Sequence, residues 1–331
     1  MPHESNLHKK EEFHLTSYSK WDDLDLYMNQ GMLKKFGDRF LKYREKWKKT
    51  FTRKTAPKFP LMVGIEATDS CNYKCKMCYR KNNPNTSTRL GYKKIISIID
   101  EGSKYQLPSL AFGGGADEPF MEKKIMKILE YAIENGIMDI LLTSNGSLID
   151  NACIEKIVAL GISRIQISLD ASSQGVYTKI RGGHLATIEE MIRYCHELKL
   201  QKNAIFPIIR LSFVIQDENK HEMEAFLNKW KNIADKIDFQ HLIDYQANAN
   251  LEREESKRLF CAEPWQRVNI WADGTITPCC TFFSKHFKLG NIHGTSIFEA
   301  WTNPVIQELR NRLVSGDFPR ACINCSGDLS D

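Results

Sequence analysis

The amino-acid sequence predicts an α/β fold, in which helices flank a largely parallel sheet. After Pro60, short apolar runs alternate with longer stretches of helical periodicity, which is the pattern of repeated βα units. A basic helical stretch precedes this region, and a turn-rich stretch that holds half of the ten cysteines follows it. We therefore expect three parts: an N-terminal helical extension (1–58), the βα region (59–250) and a small C-terminal domain (251–331).

The βα region is predicted to contain alternating strands and helices. The strands are 61–66, 109–112, 139–143, 164–169, 208–215 and 238–243. The helices are 92–105, 122–135, 151–160, 187–198 and 220–233. These units form an incomplete barrel if the sheet curls, or an open doubly wound sheet if it stays flatter. In both arrangements the C-terminal ends of the strands converge on one edge.

The N-terminal extension carries much of the basic excess behind the net charge of +5, between Lys34 and Lys58. Apolar residues recur there at three- and four-residue steps, which predicts an amphipathic helix packed on the main domain with a solvated basic face. A surface for nucleic acid or anionic lipid is the alternative. The apolar residues are Leu33, Phe36, Phe40, Tyr43 and Trp47.

The composition is that of a globular chain, with 42% hydrophobic and 26% charged residues among 331. Residues 1–20 lack the apolar centre of a secretory signal, and no apolar run reaches the roughly 18 residues of a membrane span. We expect a cytoplasmic protein that uses no membrane. In that reducing compartment, ten cysteines indicate metal binding or catalysis rather than disulfides. Cys153 and Cys195, which are isolated in helical patterns, are expected to be inert core thiols.

Cys71, Cys75 and Cys78 directly follow the first predicted strand. Three thiolates can hold three irons of a [4Fe–4S] cluster and leave the fourth iron open, whereas electron-transfer clusters normally have four cysteine ligands. The alternative is a structural zinc site, which usually needs two separated cysteine pairs. No second pair lies near Cys71 in the sequence, so the spacing favours an open iron–sulfur cluster.

This CxxxCxxC spacing resembles the cluster motif of the radical S-adenosylmethionine (SAM) superfamily. The resemblance implies a partial (β/α)6 TIM-type barrel that binds SAM at the open iron. It also implies reductive cleavage of SAM to a 5′-deoxyadenosyl radical that abstracts hydrogen from a substrate C–H bond. The electron would come from a low-potential partner such as flavodoxin or ferredoxin. Met77 stands where many relatives carry an aromatic residue against the adenine, a contact that Tyr79 could replace.

The resemblance also implies SAM contacts in a glycine-rich turn after the second strand. Gly114, Gly115 and Glu118 resemble the Gly-Gly-Glu-Pro turn whose backbone meets the SAM amino group. Here the turn is lengthened, which makes Gly113 and Asp117 further candidates for that contact.

Further SAM contacts are expected at the ends of the third and fourth strands. Ser144 and Asn145 follow the third strand, and Ser168 and Asp170 resemble the end of the family's fourth strand, which contacts the carboxylate or ribose of SAM. Arg181 matches a basic residue that often pairs with the carboxylate, which suits a guanidinium fork.

The C-terminal part offers enough thiolates for a second metal site. A hairpin with its turn at Asp273-Gly274 and a helical run (296–313) are predicted between its cysteines. On spacing alone, a four-cysteine zinc site is the competing interpretation. The segment resembles the shortened SPASM domain, or twitch domain, which implies one auxiliary [4Fe–4S] cluster. The ligands of this cluster would be Cys261, Cys279, Cys322 and Cys325.

Cys280 is left over beside this set. It is a spare thiol, an alternative ligand, or a catalytic hydrogen-atom donor to a substrate radical. The ligand spacing is similar to that of radical SAM aminocyclitol dehydrogenases such as the one in butirosin biosynthesis, which implies two [4Fe–4S] clusters in all.

We expect oxidation or epimerisation of a small hydroxylated molecule, such as a sugar or cyclitol. The sequence shows no N-terminal peptide-recognition domain and no cysteines for a third cluster, and this favours a small molecule over a peptide. A radical SAM enzyme that matures a peptide or modifies a protein is the second hypothesis, with the basic helix as its docking surface. A zinc-stabilised nucleic-acid-binding protein is the remote third.

Overall fold

The computed structural model describes residues 17–20, 24–82, 87–115, 117–242 and 261–326. Within these ranges the strands are β1 Ser17–Ser19, β2 Met62–Ile65, β3 Ser109–Phe112, β4 Asp139–Ser144, β5 Arg164–Ser168, β6 Ile208–Ile215, β7 Lys236–His241, β8 Arg267–Ile270, β9 Thr275–Thr277 and β10 Gly290–Asn291. They form one sheet in the order β1-β7-β6-β5-β4-β3-β2-β8-β9-β10.

The helices of the described residues alternate with the strands from β2 to β7 and flank them at both ends of the chain. They are α1 Leu24–Phe36, α2 Asp38–Thr50, α3 Tyr92–Lys104, α4 Ile125–Glu134, α5 Asn151–Leu160, α6 Gln174–Ile180, α7 Leu185–Gln201, α8 Met223–Trp230, α9 Ile297–Trp301, α10 Pro304–Ser315 and α11 Arg320–Ser326.

Strands β2 to β7 lie side by side in chain order, and each pairs in parallel with the next. Connections between parallel neighbouring strands are right-handed. Because the strand order runs in one direction from β2 to β7, these connections place all of their helices on the same face of the sheet. A doubly wound sheet would need a reversal of strand order at its centre. The strand order therefore indicates a partial barrel rather than a doubly wound sheet, as the resemblance implies.

The core lies between the sheet and its helices. In α3, Ile95, Ile98 and Ile99 recur at three- and four-residue steps and are fully buried. They belong to the same apolar cluster as Val63 and Ile65 of β2. Burial of both faces explains why the strands appear in the sequence as continuous apolar runs.

The N-terminal extension folds as two helices, so the prediction of one helix is wrong. Gly37 separates α1 from α2 with a φ of 55°, a left-handed conformation that L side chains disfavour. The buried face of α2 packs Phe40 and Tyr43 against Leu61 and Met138, which directly precede β2 and β4. The extension therefore covers the N-terminal ends of the strands.

The C-terminal segment joins the sheet directly. Strand β8 pairs in parallel with β2, at the edge away from β3, with Met62 opposite Arg267. The hairpin predicted at Asp273-Gly274 is confirmed, because β9 runs antiparallel to β8 and Gly274 has a φ of 84°. Only the tertiary structure shows that this hairpin extends the sheet of the βα region.

Several helices and strands begin or end at other residues than the sequence predicts. The helical run 296–313 is broken into α9 and α10, where the Asn303 side chain accepts a hydrogen bond from the N–H of Val305 and Pro304 starts the second helix. The segment 220–233 begins as a 3-10 helix before α8. The last predicted strand starts at Lys236, and its predicted end at 243 lies outside the described residues, as does the domain boundary near 250.

No described helix is long and apolar enough to cross a membrane.

Candidate active site

A cavity of about 160 Å³ opens beyond the C-terminal ends of β2 to β5. It collects side chains from four separate strand ends, as expected at this edge of a parallel sheet. Eleven of the predicted site residues, or their alternatives, lie in its wall. The lining residues are Cys71, Cys75, Met77, Cys78, Gly113, Gly115, Asp117, Glu118, Thr143, Ser144, Asn145, Ser168 and Arg181.

The three cysteines of the first set are half-buried and face this cavity. Burial raises the pKa of all three thiols. The loop is held in place by the side chain of Asn145, whose Nδ2 donates to Cys71 Sγ at 3.8 Å, and by the Lys76 N–H, which donates to the Ile180 carbonyl at 2.7 Å. The positions of these thiols are therefore fixed by the ends of β4 and α6.

The donor set fits an iron–sulfur cluster. Among the described residues, no three His, Cys, Asp or Glu side chains converge closely enough to hold a single metal ion. A [4Fe–4S] cube differs from a single ion, because each cysteine binds a different iron and the sulfurs stay apart. Three thiols around one cavity match the cube, with one iron left for a ligand other than the protein.

The turn after β3 requires glycine at its first position. Gly113 has a φ of 77°, and a Cβ there would lie 1.9 Å from the Thr143 carbonyl oxygen. Gly115 also lines the cavity, and a Cβ there would lie 2.9 Å from Glu66 Oε1. Gly114, by contrast, is exposed and is not part of the cavity wall.

Glu118 is buried, and both of its carboxylate oxygens have partners. Oε1 accepts hydrogen bonds from Ser144 Oγ at 2.8 Å and from the Phe120 N–H at 3.2 Å, and Oε2 accepts from the Asn145 N–H at 2.8 Å. Its own N–H donates to the Ser70 carbonyl at 3.0 Å. Glu118 thus ties the cysteine loop, the glycine turn and the end of β4 together.

Asp117 contrasts with its neighbour. Its side chain lines the cavity and is 8% exposed, yet neither carboxylate oxygen has a hydrogen-bond partner among the described residues. Burial, followed by the charges of Glu66 and Glu118, raises its pKa well above the usual value. Of the alternatives Gly113 and Asp117 that the sequence left open for this turn, both line the cavity, and only Asp117 brings a carboxylate to it.

Arg181 reaches the cavity from the end of α6 and is 8% exposed. Its Nε donates to Asp170 Oδ2 at 2.6 Å, Nη2 lies 2.5 Å from the same oxygen, and Nη1 points to Cys75 Sγ at 3.7 Å. Asp170 is fully buried and outside the cavity wall, and its Oδ1 accepts from the Val214 N–H at 2.7 Å. The structure therefore places Asp170 behind Arg181.

Some predicted positions stay apart from the cavity. Met77 belongs to the wall and Tyr79 does not, so the aromatic contact proposed for Tyr79 receives no support from the described lining. Sequence reasoning did not single out Glu66, which is 7% exposed at the end of β2. A charged residue that ends an otherwise apolar strand was the available signal.

The C-terminal cysteines form a second group. Burial, followed by smaller effects that include the charges of Cys325 and Cys280, raises the pKa of Cys261 to about 11. Burial also raises the pKa of Cys322 to about 12, and the charges of Cys261 and Cys325 add smaller increases. The pKa of Cys279 is raised by burial first and by the charge of Cys280 second. These effects mean that the five thiols lie within electrostatic range of one another.

This second group lies toward the N-terminal end of β8. Thr277 pairs with Asn269, so the chain from β9 to Cys279 runs back toward Arg267, whose charge acts on Cys280. The first group follows the opposite, C-terminal end of β2, so the two groups lie at opposite ends of the paired strands β2 and β8. Cys280 is not in the cavity wall, and its donor role remains a prediction without support from these contacts.

Sequence comparison agrees with this geometry. The chain matches the Radical SAM superfamily over residues 65–229. The chain belongs to the radical SAM superfamily. An iron–sulfur cluster-binding SPASM domain matches residues 261–326 and contains all five C-terminal cysteines. SAM, a [4Fe–4S] cluster and auxiliary iron–sulfur binding follow from these two domains, and the remote zinc-protein hypothesis is set aside.

Individual relatives of this radical SAM enzyme carry different activities. A cofactor-modifying protein for a tungsten-containing aldehyde ferredoxin oxidoreductase of Pyrococcus furiosus is 23% identical, over 79% of this chain and 86% of that protein. A probable GTP 3′,8-cyclase of Methanocaldococcus jannaschii is 33% identical over 117 residues, which are 35% of this chain and 38% of that protein. The chain spans between 38% and 55% of the length of the first curated relatives it matches. Sequence similarity therefore assigns the superfamily and not the substrate.

Solved structures show the same fold. Streptococcus suis SuiB bound to its precursor peptide SuiA superposes with a TM-score of 0.58 at 17% identity, over 82% of this chain and 71% of that one. BtrN in complex with AdoMet and 2-DOIA gives a TM-score of 0.51 at 14% identity, over 77% of this chain and 87% of that one. At these identities the likeness concerns the fold alone.

Proposed function

We propose that this radical SAM enzyme removes a hydrogen atom from a small hydroxylated molecule, such as a sugar or cyclitol, for oxidation or epimerisation. The observation that carries the proposal is the convergence of Cys71, Cys75 and Cys78 with Arg181 on one cavity. When bound, SAM and the cluster on these cysteines supply the 5′-deoxyadenosyl radical that takes the hydrogen atom.

The protein's contribution is to bind SAM and to orient it in the cavity. Arg181, positioned by Asp170, offers its remaining N–H groups to the SAM carboxylate. The backbone of the turn from Gly113 to Gly115 would hold the SAM amino group, and Glu118 keeps that turn joined to Ser144. Asn145 holds the cysteine loop through Cys71, and Ser168 offers a hydroxyl at the cavity wall.

The character of the wall supports a hydroxylated substrate. Thr143 and Ser168 contribute hydroxyls and Asp117 contributes a carboxylate, whereas the Ser144 hydroxyl and the Asn145 amide already bind Glu118 and the cysteine loop. Such groups can form hydrogen bonds with the hydroxyls of a substrate, whereas an apolar molecule has no donor or acceptor for them. The C-terminal cysteines Cys261, Cys279, Cys322 and Cys325 would hold the auxiliary cluster that an oxidation needs as electron acceptor.

The test compares Cys71→Ala with Cys153→Ala after anaerobic reconstitution. We expect about eight irons per chain in the wild type and about four in Cys71→Ala, since one cube should be lost. With dithionite and SAM, the wild type and Cys153→Ala should form 5′-deoxyadenosine, and Cys71→Ala should not. Cys153 is a matched control because it lies on α5, away from both cysteine groups.

The substrate arm of this test compares sugars and cyclitols with peptides. Faster formation of 5′-deoxyadenosine with a sugar or cyclitol, together with an oxidised or epimerised product, would support the proposal. Stimulation by peptides alone would reject it. Formation of 5′-deoxyadenosine by Cys71→Ala would reject the assigned cluster site as well.

Maturation of a peptide or modification of a protein is the second candidate, because the fold is shared with peptide-bound SuiB. The basic surface suggested for docking faces away from the site. Arg39, Lys42 and Lys46 of α2 line a separate cavity of about 610 Å³, together with Leu61, Pro108 and other residues that precede β2, β3 and β4. A peptide bound there would lie at the opposite end of the strands from the first cysteine group.

The partner and location of the enzyme stay predictions from the sequence. A flavodoxin or ferredoxin is the proposed electron donor, since cleavage of SAM needs one low-potential electron. A cytoplasmic location is proposed because thiols must stay reduced to hold the clusters.

A further inference from the structure

The inner face of the sheet carries charged side chains beyond the cavity of the first cysteine group. On β6, Ile209, Leu211 and Phe213 are buried in the core that the sheet shares with its helices. Side chains alternate along a strand, so Arg210 and Ser212 point to the opposite face. That face is the interior of the partial barrel, because the connecting helices cover only the other one.

The strand register places this interior face next to the proposed SAM site. Ser212 lies directly opposite Ser168, which lines the cavity, and its Oγ donates to Ser168 Oγ at 3.5 Å. Asp238 of β7 lies opposite Ser212 in turn. Neighbouring strands are about 4.8 Å apart, so Asp238 is roughly 10 Å along the sheet from Ser168. A molecule the size of one substituted sugar ring spans such a distance.

Two cations share the Asp238 carboxylate. Arg210 Nε pairs with Asp238 Oδ2, and Lys236 Nζ lies 3.2 Å from Asp238 Oδ1. Neither cation has a second carboxylate partner in the described part of the chain. The side chains of Arg210 and Lys236 are 31% and 33% exposed, so both stay accessible. Two positive charges and one negative charge leave the cluster with one surplus positive charge.

The guanidinium of Arg210 has a free edge. Its Nε forms the pair with Asp238, and neither Nη atom has a hydrogen-bond partner among the described residues. A planar guanidinium fork matches two oxygens of a carboxylate or a phosphate. Gln166, opposite Arg210 on β5, is half-buried and offers a further N–H donor on the same face. An oxyanion is therefore the ligand that these groups fit.

We propose that Arg210 and Lys236 bind a singly charged oxyanion of the substrate, a carboxylate or a phosphate diester. The inference rests on the proposed function and deepens it, because the hydroxylated molecule then carries a negative charge away from its reacting C–H bond. Asp238 holds the two cations in place and leaves one of their charges for the ligand. The SAM carboxylate is assigned to a different cation, Arg181, which lines the cavity itself.

The first test uses acetate and dimethyl phosphate as probes in reconstituted wild-type protein saturated with SAM. Each probe replaces chloride at constant ionic strength, and the rise of the unfolding midpoint with probe concentration gives a dissociation constant. We expect a rise with at least one probe, and the probe that binds identifies the oxyanion as a carboxylate or a phosphate diester. No rise with either probe would overturn the proposal.

Variants of the cluster should change this dissociation constant in opposite directions. Arg210→Gln removes the fork and the surplus charge, so we expect probe binding to weaken at least about tenfold. Lys236→Gln also removes the surplus charge but keeps the pair of Arg210 with Asp238, so it should weaken binding in a folded protein. Asp238→Asn raises the surplus to two positive charges, so binding should tighten. Unchanged binding in Arg210→Gln and Lys236→Gln would show that the ion pairs are structural only, and the proposal would fail.

Lys229→Gln is the matched control. Lys229 pairs with Glu189 between α8 and α7, on the helix side of the sheet, and its side chain is 28% exposed. The substitution removes a cation of similar exposure without touching the barrel interior, so the dissociation constant should equal that of the wild type. A loss as large as that of Lys236→Gln would show that the probes report net charge alone, which contradicts a specific site.

Further outcomes separate this site from SAM and from the proposed function. A probe response that is present without SAM and lost when SAM is bound would assign the site to the SAM carboxylate and overturn the substrate assignment. A wild type that forms 5′-deoxyadenosine with a neutral sugar or cyclitol but shows no probe response would keep the proposed function and reject the oxyanion site. A probe response in a protein that only peptides stimulate would reject the proposed function and leave the oxyanion site standing.

Discussion

Asp170 has a left-handed backbone, with a φ of 59°, although it is not glycine. Its carbonyl oxygen accepts from Asn219 Nδ2 at 2.9 Å, and its side chain binds Arg181 and the Val214 N–H. Strained backbone of this kind persists only where the surroundings hold it in place. Here the strain sets the position of the one guanidinium that lines the described part of the cavity.

At the residue scale we predict that Asp170→Asn is strongly destabilising. Removal of one partner leaves Arg181 buried and unpaired, which costs about 3 to 5 kcal/mol in the free energy of unfolding. Urea denaturation measures this loss, and isothermal titration should show weaker SAM binding. Asp217→Asn is the control, because its pair with Lys220 is exposed and should contribute less than about 1 kcal/mol. Similar losses for both variants would contradict the role given to Asp170.

At the scale of elements, helix ends and turns carry the constraints that position the site. The Asp150 side chain accepts a hydrogen bond from the Cys153 N–H at the start of α5, and Gly161 ends that helix in a left-handed conformation. The Ser173 hydroxyl accepts from the Val176 N–H at the start of α6, the helix that delivers Arg181. The break between α1 and α2 at Gly37 turns the chain so that α2 can cover the strand ends.

A pair of glycine variants tests this element-scale account. Gly37→Ala should cost about 1 kcal/mol in the free energy of unfolding, because its φ of 55° is left-handed although nothing lies within 4 Å of the new Cβ. Gly175→Ala, inside α6 and equally free of contacts, should stabilise the protein by about 0.5 to 1 kcal/mol. Chemical denaturation of both variants measures the difference. A gain for Gly37→Ala would show that the helix break does not need glycine.

At the scale of the whole molecule, the C-terminal segment and the βα region share one sheet and several buried contacts. The Leu61 N–H donates to the Gln266 carbonyl at 2.8 Å, and Trp301 Nε1 donates to the Pro57 carbonyl at 2.7 Å. The Ile297 N–H donates to Glu101 Oε2 at 3.0 Å. The position of the C-terminal cysteines relative to the barrel is therefore fixed by packing.

We predict that this shared sheet depends on Gly64. A Cβ at Gly64 would lie 1.8 Å from Oδ1 of the buried Asn269, its direct partner across β2 and β8. Gly64→Ala should cost about 1 to 3 kcal/mol and should speed amide hydrogen exchange in β8. Gly114→Ala, with nothing within 4 Å, should change stability by less than about 0.5 kcal/mol. Unchanged exchange in β8 of Gly64→Ala would contradict the shared sheet.

Much of the fold could be predicted from the sequence because its signals are local. Apolar periodicity located the strands β2 to β7 to within two residues where the structure describes them, and Asp273-Gly274 marked the hairpin. The lengths of α1, α2 and α9 were not predictable from periodicity, since single residues such as Gly37 and Pro304 interrupt the pattern without changing it.

The sequence by itself determined the superfamily and its cofactors, because covalent spacing fixes how three cysteines can share a cluster. Only the tertiary structure decided that Glu118 joins the glycine turn to Ser144 and Asn145, and that Asp170 stands behind Arg181. The same holds for Cys280, which lies with the C-terminal thiols and outside the cavity wall. Such facts depend on contacts between residues far apart in the chain, and spacing along the sequence carries no information about them.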